Sequence, residues 1–223
     1  MKTVPMPRIA LIHALSHSVD PINAVMASQW PDATLMNLLD DSLSADLARS
    51  GSGLDAAMHA RFQDLAAYAV GSGAQAILFT CSAFGPCIDA VARRYPQIPV
   101  LKPNEAMIAD AAGAARGPLG LIATFGPTLE SMPPEFPEET DLRLALAVGA
   151  LDALDRGDVA RHDALIAEQA RQLAASGCET IALAQFSMAR ARHACEQASG
   201  KPVLTTVHSA VLALQRRLGH HSR

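Results

Sequence analysis

Apolar residues gather along this chain in short runs separated by polar stretches with helical spacing. The runs are Ile9–His13, Thr34–Leu38, Ala76–Thr80, Val100–Leu101, Leu119–Thr124, Leu142–Val148, Thr180–Ala184 and Val203–Val207. Between them lie segments such as Leu54–Val70, Cys87–Arg94 and Val159–Ala175, and in the last of these Leu165, Ile166, Gln169 and Leu173 fall on one helical face. Strands alternating with helices predict βαβ units, and hence an α/β fold with mostly parallel sheets.

The pattern repeats. Gly73-Ala74-Gln75-Ala76-Ile77-Leu78-Phe79-Thr80-Cys81 has a counterpart in Gly177-Cys178-Glu179-Thr180-Ile181-Ala182-Leu183-Ala184-Gln185. Each stretch leads into a helix and a short strand, Pro99-Val100-Leu101 or Pro202-Val203-Leu204, then a further helix starting near Asn104 or Ser209. Ile9-Ala10-Leu11-Ile12 likewise matches Leu119-Gly120-Leu121-Ile122. Three matches in one order predict two similar α/β halves, 1–115 and 116–208, meeting near Gly113 to Pro118, with the helix 209–218 completing the first. Pro133 to Glu139 reads as a loop, and Gly219 to Arg223 as a frayed end.

Composition narrows the class. With 223 residues and a hydrophobic fraction of 50%, the chain can fill a core, but aromatics supply only 4%, so Ala, Leu, Val and Ile must do most of the packing. A net charge of -4 with mixed signs argues against nucleic-acid binding. No apolar run nears the roughly 18 residues of a membrane span, and the start from Met1 to Arg8 lacks the features of a signal peptide. A cytoplasmic enzyme or binding protein is expected. Cys81, Cys87, Cys178 and Cys195 are too few for a disulfide framework and lack CxxC spacing.

In parallel sheets, ligands bind beyond the carboxyl ends of the strands. The first half offers His13, Ala14, Leu15, Ser16 and His17 there, then Thr80, Cys81, Ser82 and Ala83. The second offers Thr124 to Thr128, then Gln185, Phe186 and Ser187, then His208 and Ser209. Halves facing each other would join these groups in one cleft, rich in hydroxyls and amides and poor in charge, which suits a small carboxylate without metal or bulky cofactor. Cys81 follows an apolar strand and precedes a helix with Pro86 in its first turn, so amide donors and the helix end are expected to favour its thiolate. Buried filler is the competing reading, and it is the expected one for the other three cysteines. His59, His162 and His193 are read as solvated helix residues, Arg190 and Arg192 as solvent-facing, and the His220-His221 tail has no companion with ligand spacing. Lys2, Lys102 and Lys201 are not placed for a Schiff base, and no glycine-rich phosphate motif occurs.

The turn Thr80-Cys81-Ser82 resembles the first cysteine motif of the aspartate/glutamate racemase superfamily, and Leu121 to Thr128 is similar to the strand and loop opening that family's second half. The resemblance runs over roughly residues 8–218. It implies pseudo-twofold α/β halves, no cofactor, a small carboxylic-acid substrate between two cysteines, and a homodimer. One thiolate would remove the α-proton and the other thiol return one to the opposite face, while amides and hydroxyls stabilise the enediolate. Cys81 matches the first cysteine; Ser16, Thr80, Ser82, Ala83, Thr124, Gly126, Gln185, Phe186 and Ser187 are the candidate substrate-binding residues. The second cysteine is absent, and Gln185 stands at its place.

Three readings therefore stand. The first is a racemase- or isomerase-type enzyme acting next to a carboxylate or carbonyl, with one-thiol decarboxylation as its variant. The second is a small-carboxylate binding protein without chemistry. The third is a thiol hydrolase using His13, His17 or His208.

Overall fold

The computed structural model describes residues 6–50, 53–114 and 117–219. The readings made at the first five residues, at Gly51-Ser52 and at the His220-His221 tail lie outside these. Two compact units divide the chain, Met1–Pro103 with Ala210–Arg223, and Asn104–Ser209. The first contains β1 (Arg8–His13), α1 (Val19–Gln29), β2 (Thr34–Leu39), α2 (Ser42–Ser50), α3 (Ala56–Gly71), β3 (Ala76–Phe79), α4 (Gly85–Arg94) and β4 (Val100–Leu101). The second contains α5 (Glu105–Ala114), β5 (Leu119–Ala123), α6 (Gly126–Ser131), β6 (Leu142–Leu146), α7 (Ala150–Asp155), α8 (Val159–Ala175), β7 (Thr180–Leu183), α9 (Arg192–Ser199) and β8 (Val203–Thr205). The last helix, α10 (Thr206–Arg217), leaves the second unit after Ser209 and counts with the first from Ala210.

Each unit holds a four-stranded parallel sheet of the same topology, β2-β1-β3-β4 in one and β6-β5-β7-β8 in the other. The registers match as well: Ile12 pairs with Phe79 in the first sheet, and Ile122 pairs with Leu183 in the second. The α/β class and the two similar halves expected from the sequence are thus present. The second unit begins at Asn104, ahead of the expected boundary stretch, because α5 packs Met107, Ile108 and Ala111 against Leu119, Leu121 and Phe136 of that unit.

The repeat extends to the helix ends. Asp55 caps α3 by accepting the Met58 N–H at 2.8 Å, and Asp158 caps α8 by accepting that of Arg161 at 3.1 Å. At the other ends, Gly73 and Gly177 take φ of +85° and +100°. The following N–H groups of Ala74 and Cys178 reach back to the carbonyls of Ala69 and Leu173, a left-handed helix stop that glycine adopts without strain.

Aligned from those stops, α3 buries Met58, Phe62, Ala66 and Ala69 where α8 buries His162, Ile166, Ala170 and Leu173. His162, expected in solvent, is fully buried: it lies on the core-facing stripe of α8, in the place of Met58. Its Nδ1 donates to Asp163 at 2.7 Å, and its Nε2 has no partner among the described residues.

Several strands stop one or two residues before the expected end, β6 at Leu146 rather than Val148 among them. β8 stops at Thr205 rather than Val207, because the Thr205 hydroxyl accepts the His208 N–H at 3.1 Å and starts α10 there. The proline-rich stretch is not wholly loop, since Pro133–Glu135 form a 3-10 turn that drives Phe136 into the core. Among the described residues no helix is long and apolar enough to cross a membrane.

Candidate functional site

Parallel pairing sends the ends of β1 and β3 to one edge of the first sheet. Cys81 follows β3 there, with φ -129° and ψ 123°, and begins the 3-10 turn Ser82–Phe84 that runs into α4. The floor beneath it is aromatic. Phe62 of α3 stacks on Phe79 with ring centres 5.3 Å apart and meets Phe84 at 4.9 Å, so three of the chain's six phenylalanines converge on this spot. Ile12, His13, Ala14 and Leu43 line the same small recess as Cys81 and these rings. The thiol is therefore supported from below.

The Ala83 backbone and the Ser44 side chain meet the Cys81 sulfur and favour its charged form, while the Ser44 hydroxyl also reaches the Ala14 carbonyl at 3.3 Å. Burial works against them and wins, so the thiol lies above its ordinary value and is protonated at neutral pH. This corrects the expectation of a stabilised thiolate: the turn does supply an amide donor, but the aromatic floor removes more solvation than that donor returns. Ser44 went unnoticed in the sequence, where it is one of several serines after β2. α2 brings it here, and that helix is tied down by Arg61 of α3, which donates to Asp40, Asp46 and Ser42 at 2.6 Å each.

His13 closes the buried side. Its Nε2 lies 3.0 Å from Asn37 Oδ1 and its Nδ1 lies 3.0 Å from Thr80 Oγ1. Burial lowers its pKa, and the Asn37 hydrogen bond only partly opposes this, so the ring is neutral. Since an amide oxygen only accepts, the proton sits on Nε2 and Nδ1 takes the Thr80 hydroxyl proton. Both ring nitrogens are thereby engaged, and His13 serves Thr80 and Asn37 rather than the thiol. Thr80 is buried, Ser82 is half-buried, and Ala83 is exposed. Ser16 is exposed and opens the 3-10 turn Ser16–Ser18 beyond β1, of which Ser18 is buried.

The second unit repeats the architecture with other chemistry. Gln185 follows β7 with φ -124° and ψ 149° and begins the 3-10 turn Phe186–Ala191. Its side-chain oxygen accepts two bonds from Thr124, one from the backbone N–H at 2.7 Å and one from the hydroxyl at 3.0 Å. Thr124 is buried, Gln185 and Ser187 are half-buried, and the Phe186 ring turns into the core. Gly126 is the first residue of α6.

At the end of β8, the Thr205 hydroxyl lies 2.6 Å from His208 Nδ1. Burial, and then the Arg192 charge, lower the His208 pKa against the pull of Glu196. Arg190 is exposed as expected and donates to Asp163 at 3.2 Å, while Arg192 pairs with Glu196 at 2.9 Å. Cys87, Cys178 and Cys195 are buried core residues, and burial followed by the charges of Asp163 and Glu196 raises Cys195 to about 12. Among the described residues no three His, Cys, Asp or Glu side chains are grouped to hold a metal.

Comparison with known structures agrees with this architecture. Aspartate racemase from Picrophilus torridus superposes with a TM-score of 0.71 at 10% identity, covering 97% of this chain and 96% of that one. Allantoin racemase from Klebsiella pneumoniae gives 0.71 at 18% identity, with coverage of 97% and 90%. A variant of arylmalonate decarboxylase gives 0.66 at 17% identity, with coverage of 96% and 94%. At such identities the likeness establishes the fold. No curated protein sequence matches. The Asp/Glu/hydantoin racemase family model, however, matches residues 19–214, nearly the whole chain. The chain therefore belongs to the Asp/Glu/hydantoin racemase family.

Proposed function

We propose that the protein is a cofactor-independent racemase- or isomerase-type enzyme acting at the carbon next to a carboxylate or carbonyl of a small acid, with Cys81 as its proton-carrying thiol. The observation that carries this reading is the setting of Cys81 at the end of β3, where the Ala83 backbone and the Ser44 side chain meet the sulfur above an aromatic floor. In the reaction, the resting Cys81 thiol first gives its proton to solvent, and the thiolate so formed takes the α-proton and becomes S–H again. The C–H electron pair moves onto the carboxyl oxygens as an enediolate; water then protonates the carbon and restores the acid, and the hydroxide left behind takes the Cys81 proton, returning water and the thiolate. Hydrogen-bond donors must stabilise that enediolate. Ser16 and Ser82 are the first unit's candidates, since the Ala83 N–H is engaged with the Cys81 sulfur; Gln185, Ser187 and the backbone at Gly126 and Phe186 are the second's.

A decarboxylase is the second reading, favoured by two observations. The Cys81 thiol rests protonated, which suits a proton donor, and Gln185 occupies the place where a second thiol would stand. Here a C–C bond breaks and CO2 leaves. The enediolate then takes the Cys81 proton, and solvent reprotonates the sulfur.

The test is turnover of amino acids, hydantoins, maleate and substituted malonates in D2O, followed by NMR, with wild type and Cys81→Ala. Exchange, isomerisation or CO2 loss that disappears in the variant supports the proposal and separates its two forms. Turnover that survives Cys81→Ala overturns it. Binding of these acids without turnover would favour a small-carboxylate binding protein.

A further inference from the structure

We infer that Thr124 is a positioning residue and that the group it positions, the Gln185 side-chain amide, is a fixed hydrogen-bond donor for a carboxylate or carbonyl oxygen. The inference starts from an asymmetry of the primary amide: one end accepts and the other donates. Gln185 Oε1 takes both hydrogen atoms that Thr124 can offer, from its N–H at 2.7 Å and its hydroxyl at 3.0 Å. Reversing the amide would set its NH2 group against the Thr124 N–H, donor against donor, so the orientation is determined. The oxygen is held inward, and Nε2 is left with two N–H donors that meet no acceptor among the described residues.

Thr124 cannot hydrogen-bond a ligand with the groups it spends on Gln185, which separates its role from that of the residue it holds. Thr124 is 7% exposed, whereas Gln185 is half-buried, so the amide is the member of the pair that solvent and solutes reach. The anchoring also orders a long side chain before any ligand arrives, which lowers the entropy cost of binding. A neutral N–H donor selects oxygen acceptors, and since the two N–H bonds of one nitrogen diverge, one of them can meet a carboxylate oxygen while the other meets a second acceptor.

This rests on the reading of a small-acid enzyme and adds what stands at the position matching Cys81. An amide neither takes nor gives a proton at neutral pH. Gln185 therefore binds an oxygen, and proton transfer falls to Cys81.

The experiment is 15N NMR of side-chain amides during titration with maleate, in wild type and in Cys81→Ala, with the Gln185 signal assigned from its loss in Gln185→Ala. The expected result is a shift of the Gln185 NH2 pair in both proteins, and affinity about tenfold weaker in Gln185→Ala, equivalent to about 1.4 kcal/mol. Thr124→Ser should keep wild-type affinity because it keeps both donors, while Thr124→Val should weaken binding without losing the fold, checked by thermal unfolding. Gln185→Glu should abolish binding, since a carboxylate offers no donor. A Gln185 signal indifferent to maleate, or Thr124→Val binding as well as Thr124→Ser, would overturn the inference. Because these shifts need no turnover, an inactive enzyme would sink the proposed chemistry and leave this assignment standing.

Discussion

Cys81 and Gln185 hold the same station in two copies of one strand-and-turn. Each follows the second inner strand of its sheet, each has extended backbone, with φ of -129° and -124°, and each opens a 3-10 turn. The registers that pair Ile12 with Phe79 and Ile122 with Leu183 make the two positions equivalent. What differs is the chemistry of the side chain: one unit presents a titratable thiol, the other an amide locked by Thr124. The duplicated scaffold is symmetric and its chemistry is not.

The raised Cys81 pKa gives a pH signature. Alkylation by iodoacetamide should be slow at neutral pH and should climb about tenfold per pH unit, with its midpoint above the ordinary thiol value. Ser44→Ala removes a donor that favours the thiolate, so the midpoint should move higher still. A midpoint below the ordinary value, measured by mass spectrometry of the modified peptide, would contradict the burial argument.

Arg61 binds α2 to α3 through Asp40 and Asp46. Partial burial raises the Asp40 pKa, but the Ser42 and Arg61 hydrogen bonds outweigh it; for Asp46 the Arg61 bond leads, and both carboxyls end below their ordinary value of 3.8. For depressed carboxyls the stability is present above the unfolded pKa and is lost as pH falls through the folded one. Arg61→Gln should therefore destabilise slightly at neutral pH and flatten the acid limb of unfolding below about pH 4. The same substitution should loosen Ser44 and raise the Cys81 midpoint. Urea unfolding at several pH values, with the alkylation profile, checks both.

His162 occupies the core place that Met58 holds in the first unit, with Nε2 unpaired among the described residues. A buried polar atom without a partner costs about 1–3 kcal/mol. His162→Met should thus stabilise the protein by about 1 kcal/mol, leaving Asp163 its bond to Arg190. Destabilisation in urea would mean that the imidazole is satisfied in solution.

How much of this was written in the sequence follows physical lines. The inner strands were visible because in a parallel sheet they are buried on both faces and read as apolar runs, as Ile9 to Ile12 and Ile77 to Phe79 do. The halves were visible because Gly73 and Gly177 mark the same helix stop. Cys81 and Gln185 were found because a strand end locates them. Ser44 was not, because its approach to the thiol depends on how Arg61 seats α2, a contact made across the fold. The direction of the Cys81 shift was also hidden, since local chemistry shows the amide donor but not the three phenylalanine rings assembled from α3, β3 and the following turn. His162 was misplaced for the same reason: helical spacing shows a stripe but not how wide a stripe the sheet covers.

The central claim is that Cys81 carries the proton. The most direct measurement is deuterium incorporation at the α-carbon in D2O, comparing wild type with Cys81→Ser on whichever small acid turns over. Removing a positioned acid–base group should slow exchange by about 10²–10⁴-fold while substrate affinity changes little. Exchange by Cys81→Ser at the wild-type rate would contradict the account.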